Sequence, residues 1–202
     1  MGENNRAFME MRKVAQGWLA GRNPLEIARR AGIDYDSERM EFALKSLDRE
    51  IRLRWPGCEL EAGFGDWHAL LLLHYLHRSD GTPLSPRQIA FGELRDGMVR
   101  GGGFDRDSAA RLSKLLGARS EEDVQRACAA LGAEFADSNA DLCAVFPLLP
   151  RFPMTLKLWY ADDEMPASAR LMLNASADHY LTVEDAVTAG EVLLAELEKQ
   201  FG

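Results

Sequence analysis

Apolar positions along the chain follow two alternating rhythms, one helical and one extended. From Phe8 to Leu19 the residues Phe8, Met11, Ala15, Trp18 and Leu19 recur at helical spacing and predict an amphipathic helix. Gly21 and Asn23-Pro24 interrupt it, Asn23 suiting an N-cap and Pro24 the first helical position. PLEIARRAG then reads as a short helix that ends at Gly32. Alternation takes over in EFALKSL and REIRLRW, where Phe42 and Leu44, then Ile51, Leu53 and Trp55, mark one face. A turn is expected near Asp48-Arg49, and Pro56-Gly57 closes the second run.

The stretch DWHALLLLHYLH, residues 66–77, is apolar all round and predicts a buried helix at the centre of the core. Asp66 stands where a cap belongs, and His77 lies in the last turn, where positive charge suits the helix dipole. A loop carrying Pro83, Pro86 and the glycine run 101–103 is expected next. Two helices are then predicted over about 106–117 and 120–131, the second with a capped start at Ser120, Glu122 and Asp123. LCAVFPL, MTLKLWY and ARLMLN read as strands, and Thr182 to Gln200 as a final amphipathic helix. Early and late groups of strands, with helices between and after, predict an α+β fold with a mixed or mainly antiparallel sheet. The pattern divides the chain into an N-terminal helical segment, 1–31, and a single α+β domain, 32–202.

Composition narrows the function classes. The longest apolar run, Ala69 to Leu73, falls far short of the ~20 residues a membrane span needs. The first residues, MGENNRAFMEMRK, hold no apolar leader segment, and a cytoplasmic protein without a membrane partner is expected. Cys58, Cys128 and Cys143 are far apart and form no CxxC, so they read as buried, reduced thiols. Of the net charge of −8, most lies in residues 161–202, which carry nine acids and two bases. Such a surface repels phosphate backbones, so nucleic acid is not an expected partner. PLEIARRAGI resembles the first helix of a helix-turn-helix, but the segment after it carries Asp34, Asp36, Glu38 and Glu41 instead of bases.

Four features bear on chemistry. Asp66-Trp67-His68 partly matches the Asp-x-His-x-x-Gly loop of corrinoid-binding domains, with Leu71 in place of the glycine. His74 and His77 are three apart on one helix, a spacing that brings two imidazoles near one metal, although no third ligand is adjacent in sequence. Gly101-Gly102-Gly103, between Arg100 and Arg106, reads as a mobile loop whose amides suit an anion. Asp162-Asp163-Glu164 sits between two strand patterns, with Pro166 just beyond, and predicts a turn with at least one carboxylate drawn inward. No nucleophile–base motif occurs.

Three stretches in order, LLLHYLHRSDGTPLSPRQIAFGELRDG (71–97), FPLLPRFPMTLKLWYADDEMPASARLML (146–173) and SADHYLTVEDA (176–186), resemble the bacterial and archaeal family catalogued as domain of unknown function 3786. The weaker GIDYDSERMEFALKSLDREIRLRWP extends the likeness to roughly residues 32–200. The family's Gly-Glu-Trp-Ile-Ser-Phe-Arg-Glu-Leu-like stretch appears here as Pro86 to Leu94, without its tryptophan and arginine. Its Leu-Phe-Asp is replaced by Leu171-Met172-Leu173-Asn174. The family name brings no established activity. Some relatives carry a four-cysteine iron–sulfur segment, absent here, which hints at anaerobic corrinoid or one-carbon metabolism.

The expectation is a protein that binds a small ligand, cofactor or protein partner, with the cofactor unnamed. Its candidate surface is His74, Glu93, Arg100, Trp159, Asp162, Asp163 and Glu164. The rival expectation is a metal-dependent enzyme that uses the acid triplet with His74 or His179, and a DNA-binding regulator comes third.

Overall fold

The computed structural model describes residues 3–60 and 65–202. Two N-terminal helices, α1 (Glu3–Leu19) and α2 (Pro24–Ala31), precede the first sheet. Asn23 caps α2 by accepting the Leu25 N–H, and Gly32 ends it at a positive φ of 69°. There the missing Cβ spares a strained conformation. Beyond α2 the chain turns to sheet. Strands β1 (Asp34–Asp36), β2 (Glu41–Ser46), β3 (Arg49–Arg54) and β4 (Glu59–Leu60) pair antiparallel in chain order. Alternation therefore overrides the helix-turn-helix likeness, because Phe42, Leu44 and Ser46 point inward opposite Leu53, Ile51 and Arg49.

Helix α3 (Asp66–Arg78) runs through the middle, packed by α1, α2 and the C-terminal helix α6 (Val183–Lys199). Residues 68–73, Tyr75 and Leu76 are all buried, as an apolar circumference requires. Asp66 is a correction. The N-cap position is Gly65, which offers no side chain, and Asp66 supplies only negative charge in the first turn.

The larger sheet has the order β5-β9-β8-β7-β6, antiparallel throughout. Its strands are β5 (Gln88–Ile89), β6 (Glu134–Phe135), β7 (Leu142–Leu149), β8 (Phe152–Trp159) and β9 (Ser168–Asn174). Leu156, Leu158, Leu171 and Leu173 line its inner face; α4 (Gly97–Leu116) packs against β9, and α6 packs against α4. Helix α5 (Glu121–Ala130) begins at Ser120, whose hydroxyl accepts the Asp123 N–H. The two sheets meet where the Leu47 N–H donates to Pro147 O and Ser46 Oγ donates to Leu148 O. The fold is thus α+β with two antiparallel sheets.

The glycine run 101–103 is a second correction, since it lies inside α4 and not in a loop. A Cβ on Gly101 would stand 2.2 Å from Phe91 O. The helix passes so close to the 3-10 turn Phe91–Glu93 that only glycine fits, and this contact outweighs glycine's poor helix propensity. Asp105, one turn on, accepts the N–H groups of Phe91 and Gly92 at 3.0 and 2.8 Å and fixes the same junction.

Candidate functional site

The seven residues expected to share a surface are not gathered into one site, although Trp159 and Asp162 line one cleft. His74, on α3, gives Nδ1 to Asp185 Oδ1 at 2.7 Å, and Trp18 lies over its ring at 5.3 Å. Asp185 belongs to the capping box that starts α6, where Thr182 Oγ1 also donates to it at 2.7 Å. Arg100 pairs with the neighbouring Glu184 at 3.1 Å, in solvent. Glu93 accepts the Ala90 N–H at 2.8 Å and so closes its own 3-10 turn. Trp159 donates Nε1–H to Asn139 O at 2.9 Å.

Asp162, Asp163 and Glu164 do form a turn between neighbouring antiparallel strands, but none of them points inward; all three are exposed. The reason is local. Asp162 Oδ1 accepts the N–H groups of Glu164 and Met165 at 2.9 and 2.7 Å, and its own N–H donates to Met165 O. Those amide bonds hold its carboxyl below the usual range. The acid triplet is therefore held by its own turn and pairs with no arginine or histidine among the described residues. His74 and His179 are engaged elsewhere, His179 through Nδ1 to Asp80 Oδ2 at 2.6 Å. Among the described residues no group of three or more His, Cys, Asp or Glu is placed to hold a metal ion.

His68, the histidine of the corrinoid-like stretch, is buried within α3. Ser46 sends its hydroxyl hydrogen to Leu148 O, so the 2.8 Å contact with His68 Nε2 requires that nitrogen to be the donor. Burial, aided by Arg49, pushes its pKa down to about 4. His77 also departs from expectation at the end of α3. Burial and then Arg22 lower its pKa, and Arg22 itself supplies the positive charge, donating to His77 O at 2.9 Å.

What the structure does assemble is a cleft of about 620 Å³ on the outer face of the β8–β9 hairpin. Lys157 and Arg170 stand directly opposite each other in its wall. Lys157 lies between the buried Leu156 and Leu158, and Arg170 between the buried Ala169 and Leu171, so alternation forces both cations outward. Trp159, Met165 and Met172 add apolar surface. At the rim, Asp141 accepts the Tyr160 N–H at 2.7 Å, and Asp162 is occupied by its own turn. Arg170 and Met172 also line an adjoining cleft of about 280 Å³, to which α4 contributes Arg106. None of Lys157, Arg170 and Arg106 makes an ion pair among the described residues.

Sequence reasoning reached Trp159 and Asp162 of this cleft but missed its cations. The available signal was the lone basic residue in each of MTLKLWY and ARLML. Pairing those strands about the 160–167 loop would have set the two cations opposite one another.

The family model for the domain of unknown function 3786 matches residues 23–196, and the chain belongs to that family. No curated protein and no solved structure matches it.

Proposed function

We propose that this member of the family binds a small organic anion in the β8–β9 cleft. The observation that carries the reading is the Lys157–Arg170 pair, two like charges facing each other across adjacent strands without an ion-pair partner among the described residues. Like charges directly opposite in a sheet destabilise it, and an anion between them converts that repulsion into charge-assisted hydrogen bonds. In a chain of net charge −8 with many carboxylates, cations are readily neutralised, so an unneutralised pair in a concave wall favours a ligand. Trp159, Met165 and Met172 suit an apolar or aromatic body, while Asp141 and Asp162 at the rim accept backbone amides and form no ion pair with the cations among the described residues.

Calorimetric titration with phenyl phosphate tests this. The native protein should bind it more tightly than inorganic phosphate. The Lys157→Gln/Arg170→Gln double variant should lose about tenfold or more in affinity, as expected when two charge-assisted bonds go. Equal binding by the double variant would remove the cleft from consideration. Native mass spectrometry of protein purified without oxygen, with metal analysis, would identify a ligand or cofactor that the protein retains.

A further inference from the structure

The Asp80–His179 pair opens onto a second cleft, of about 490 Å³, lined by His77, Arg78, Asp80, Arg95, Asp178 and His179. It stands where the carboxyl end of α3, the 3-10 turn Ala177–His179 and the residue pair before α4 converge. Both of its carboxylates accept hydrogen bonds from the chain around them. Asp80 Oδ1 accepts the Thr82 N–H at 2.9 Å, and Oδ2 takes His179 Nδ1 at 2.6 Å. Asp178 accepts the Arg95 N–H with both oxygens, at 3.2 and 3.1 Å. His77 is held at Nδ1 and at its carbonyl by Arg22, under Trp18.

The cations of the cleft, the guanidiniums of Arg78 and Arg95, have no carboxylate partner among the described residues. His179 keeps Nε2, because Asp80 and Thr82 Oγ1 both approach Nδ1. An imidazole whose Nδ1–H is bound by a carboxylate presents its lone pair at Nε2. A proton there would be stabilised by Asp80 behind the ring and by an anion in front of it. The carbonyl end of α3 opposes an anion, but Arg22 on His77 O offsets it, and Ser79 Oγ bonds Tyr75 O.

We propose that this cleft is a proton-coupled oxyanion site: Arg78 and Arg95 hold a phosphate-like or carboxylate group, and His179 Nε2 takes a proton from solvent as the anion enters. The charged and titratable groups facing His179 are Asp80 from the loop after α3, Asp178 from its own turn, Arg95 before α4, and Arg78 and His77 from α3, with Arg22 behind His77. A bound anion adds negative charge beside Nε2, so binding and protonation assist each other and affinity falls as pH rises. This site does not depend on the β8–β9 cleft.

The test is calorimetry near neutral pH, repeated in two buffers of different ionisation enthalpy. Sulfate serves as the tetrahedral probe and malonate as the planar one. The expected result is binding with net proton uptake, and the preferred probe distinguishes a phosphate-like ligand from a carboxylate. Arg78→Gln/Arg95→Gln should weaken binding about tenfold or more, as loss of charge-assisted bonds predicts. His179→Gln should still bind, but without proton uptake; Lys157→Gln/Arg170→Gln should leave the uptake unchanged. Failure of both probes to bind, or uptake that persists in His179→Gln, would overturn the proposal.

Discussion

The molecule contains two histidine–carboxylate pairs of nearly equal geometry, His74–Asp185 at 2.7 Å and His179–Asp80 at 2.6 Å. In each, the imidazole uses Nδ1, and a threonine supplies the carboxylate with a second donor, Thr182 Oγ1 in one and the Thr82 N–H in the other. Their surroundings differ. The side chains of the first pair are 19% and 15% exposed, sealed by Trp18 and built into the cap of α6. Those of the second are 47% and 46% exposed and line a cleft with two arginines. The pair alone therefore does not specify a role. Enclosure makes the first a clasp between α3 and α6, and opening to a cationic cleft suits the second to a ligand.

Both pairs depend on α3, so the largest disturbance should come from its core. Leu72 is fully buried, and Leu72→Ala is expected to cost about 2–5 kcal/mol in denaturant unfolding. Next comes His68, which has a serine hydroxyl where the other two have carboxylates. Its folded pKa of about 4 lies below the unfolded value of 6.5, so the folded state resists protonation. The stability it permits is complete above the unfolded pKa, declines as pH falls towards 4, and then levels off. The total loss is about 3 kcal/mol at ~1.4 kcal/mol per pH unit. Unfolding measured across that window should show the slope in the native protein and a flatter profile in His68→Gln. A flat native profile would mean that the ring is not shielded.

Asp185→Asn comes third. Burial opposes ionisation of Asp185, yet hydrogen bonds from His74 and Thr182 outweigh it and hold its pKa below normal. Its contribution is present above the unfolded value of 3.8 and is lost as pH falls through the folded one. Removing the charge at neutral pH weakens the cap of α6 and leaves His74 poorly paired, an expected loss of about 1–3 kcal/mol. Thermal unfolding would report it, and the acid transition below pH 3.8 should shrink in the variant.

Local pattern carried much of the fold. Alternation in MTLKLWY and ARLMLN defined β8 and β9, and the 3.6-residue repeat defined α6, because each of those segments buries one face. The first turns of α4 were illegible, since Gly101 is set by its approach to Phe91 and not by helix propensity. Whether the acid triplet turned inward was equally hidden, because the bonds from Asp162 to its own loop decide it. The sites were the least legible part. His74 and Asp185 are 111 positions apart, His179 and Asp80 are 99 apart, and Lys157 meets Arg170 only through strand register. Sequence spacing along a single element carries no signal for such meetings.

The smallest expected change is the sharpest test of the comparison. Burial again opposes ionisation of Asp80, but hydrogen bonds from His179 and Thr82 outweigh it and bring its pKa down to about 2. That shift belongs to a half-exposed pair, where solvent screens the charge, so Asp80→Asn should alter stability by no more than about 1 kcal/mol at neutral pH. The asparagine oxygen can still accept the Nδ1–H and keep the ring in place, while the negative charge that supports an imidazolium is gone. Asp80→Asn should therefore melt close to the native protein yet take up less of a proton when sulfate binds, whereas Asp185→Asn should melt lower with unchanged uptake. If Asp80→Asn were as destabilising as Asp185→Asn, the open pair would be a clasp like the sealed one, and the distinction between the two regions would fail.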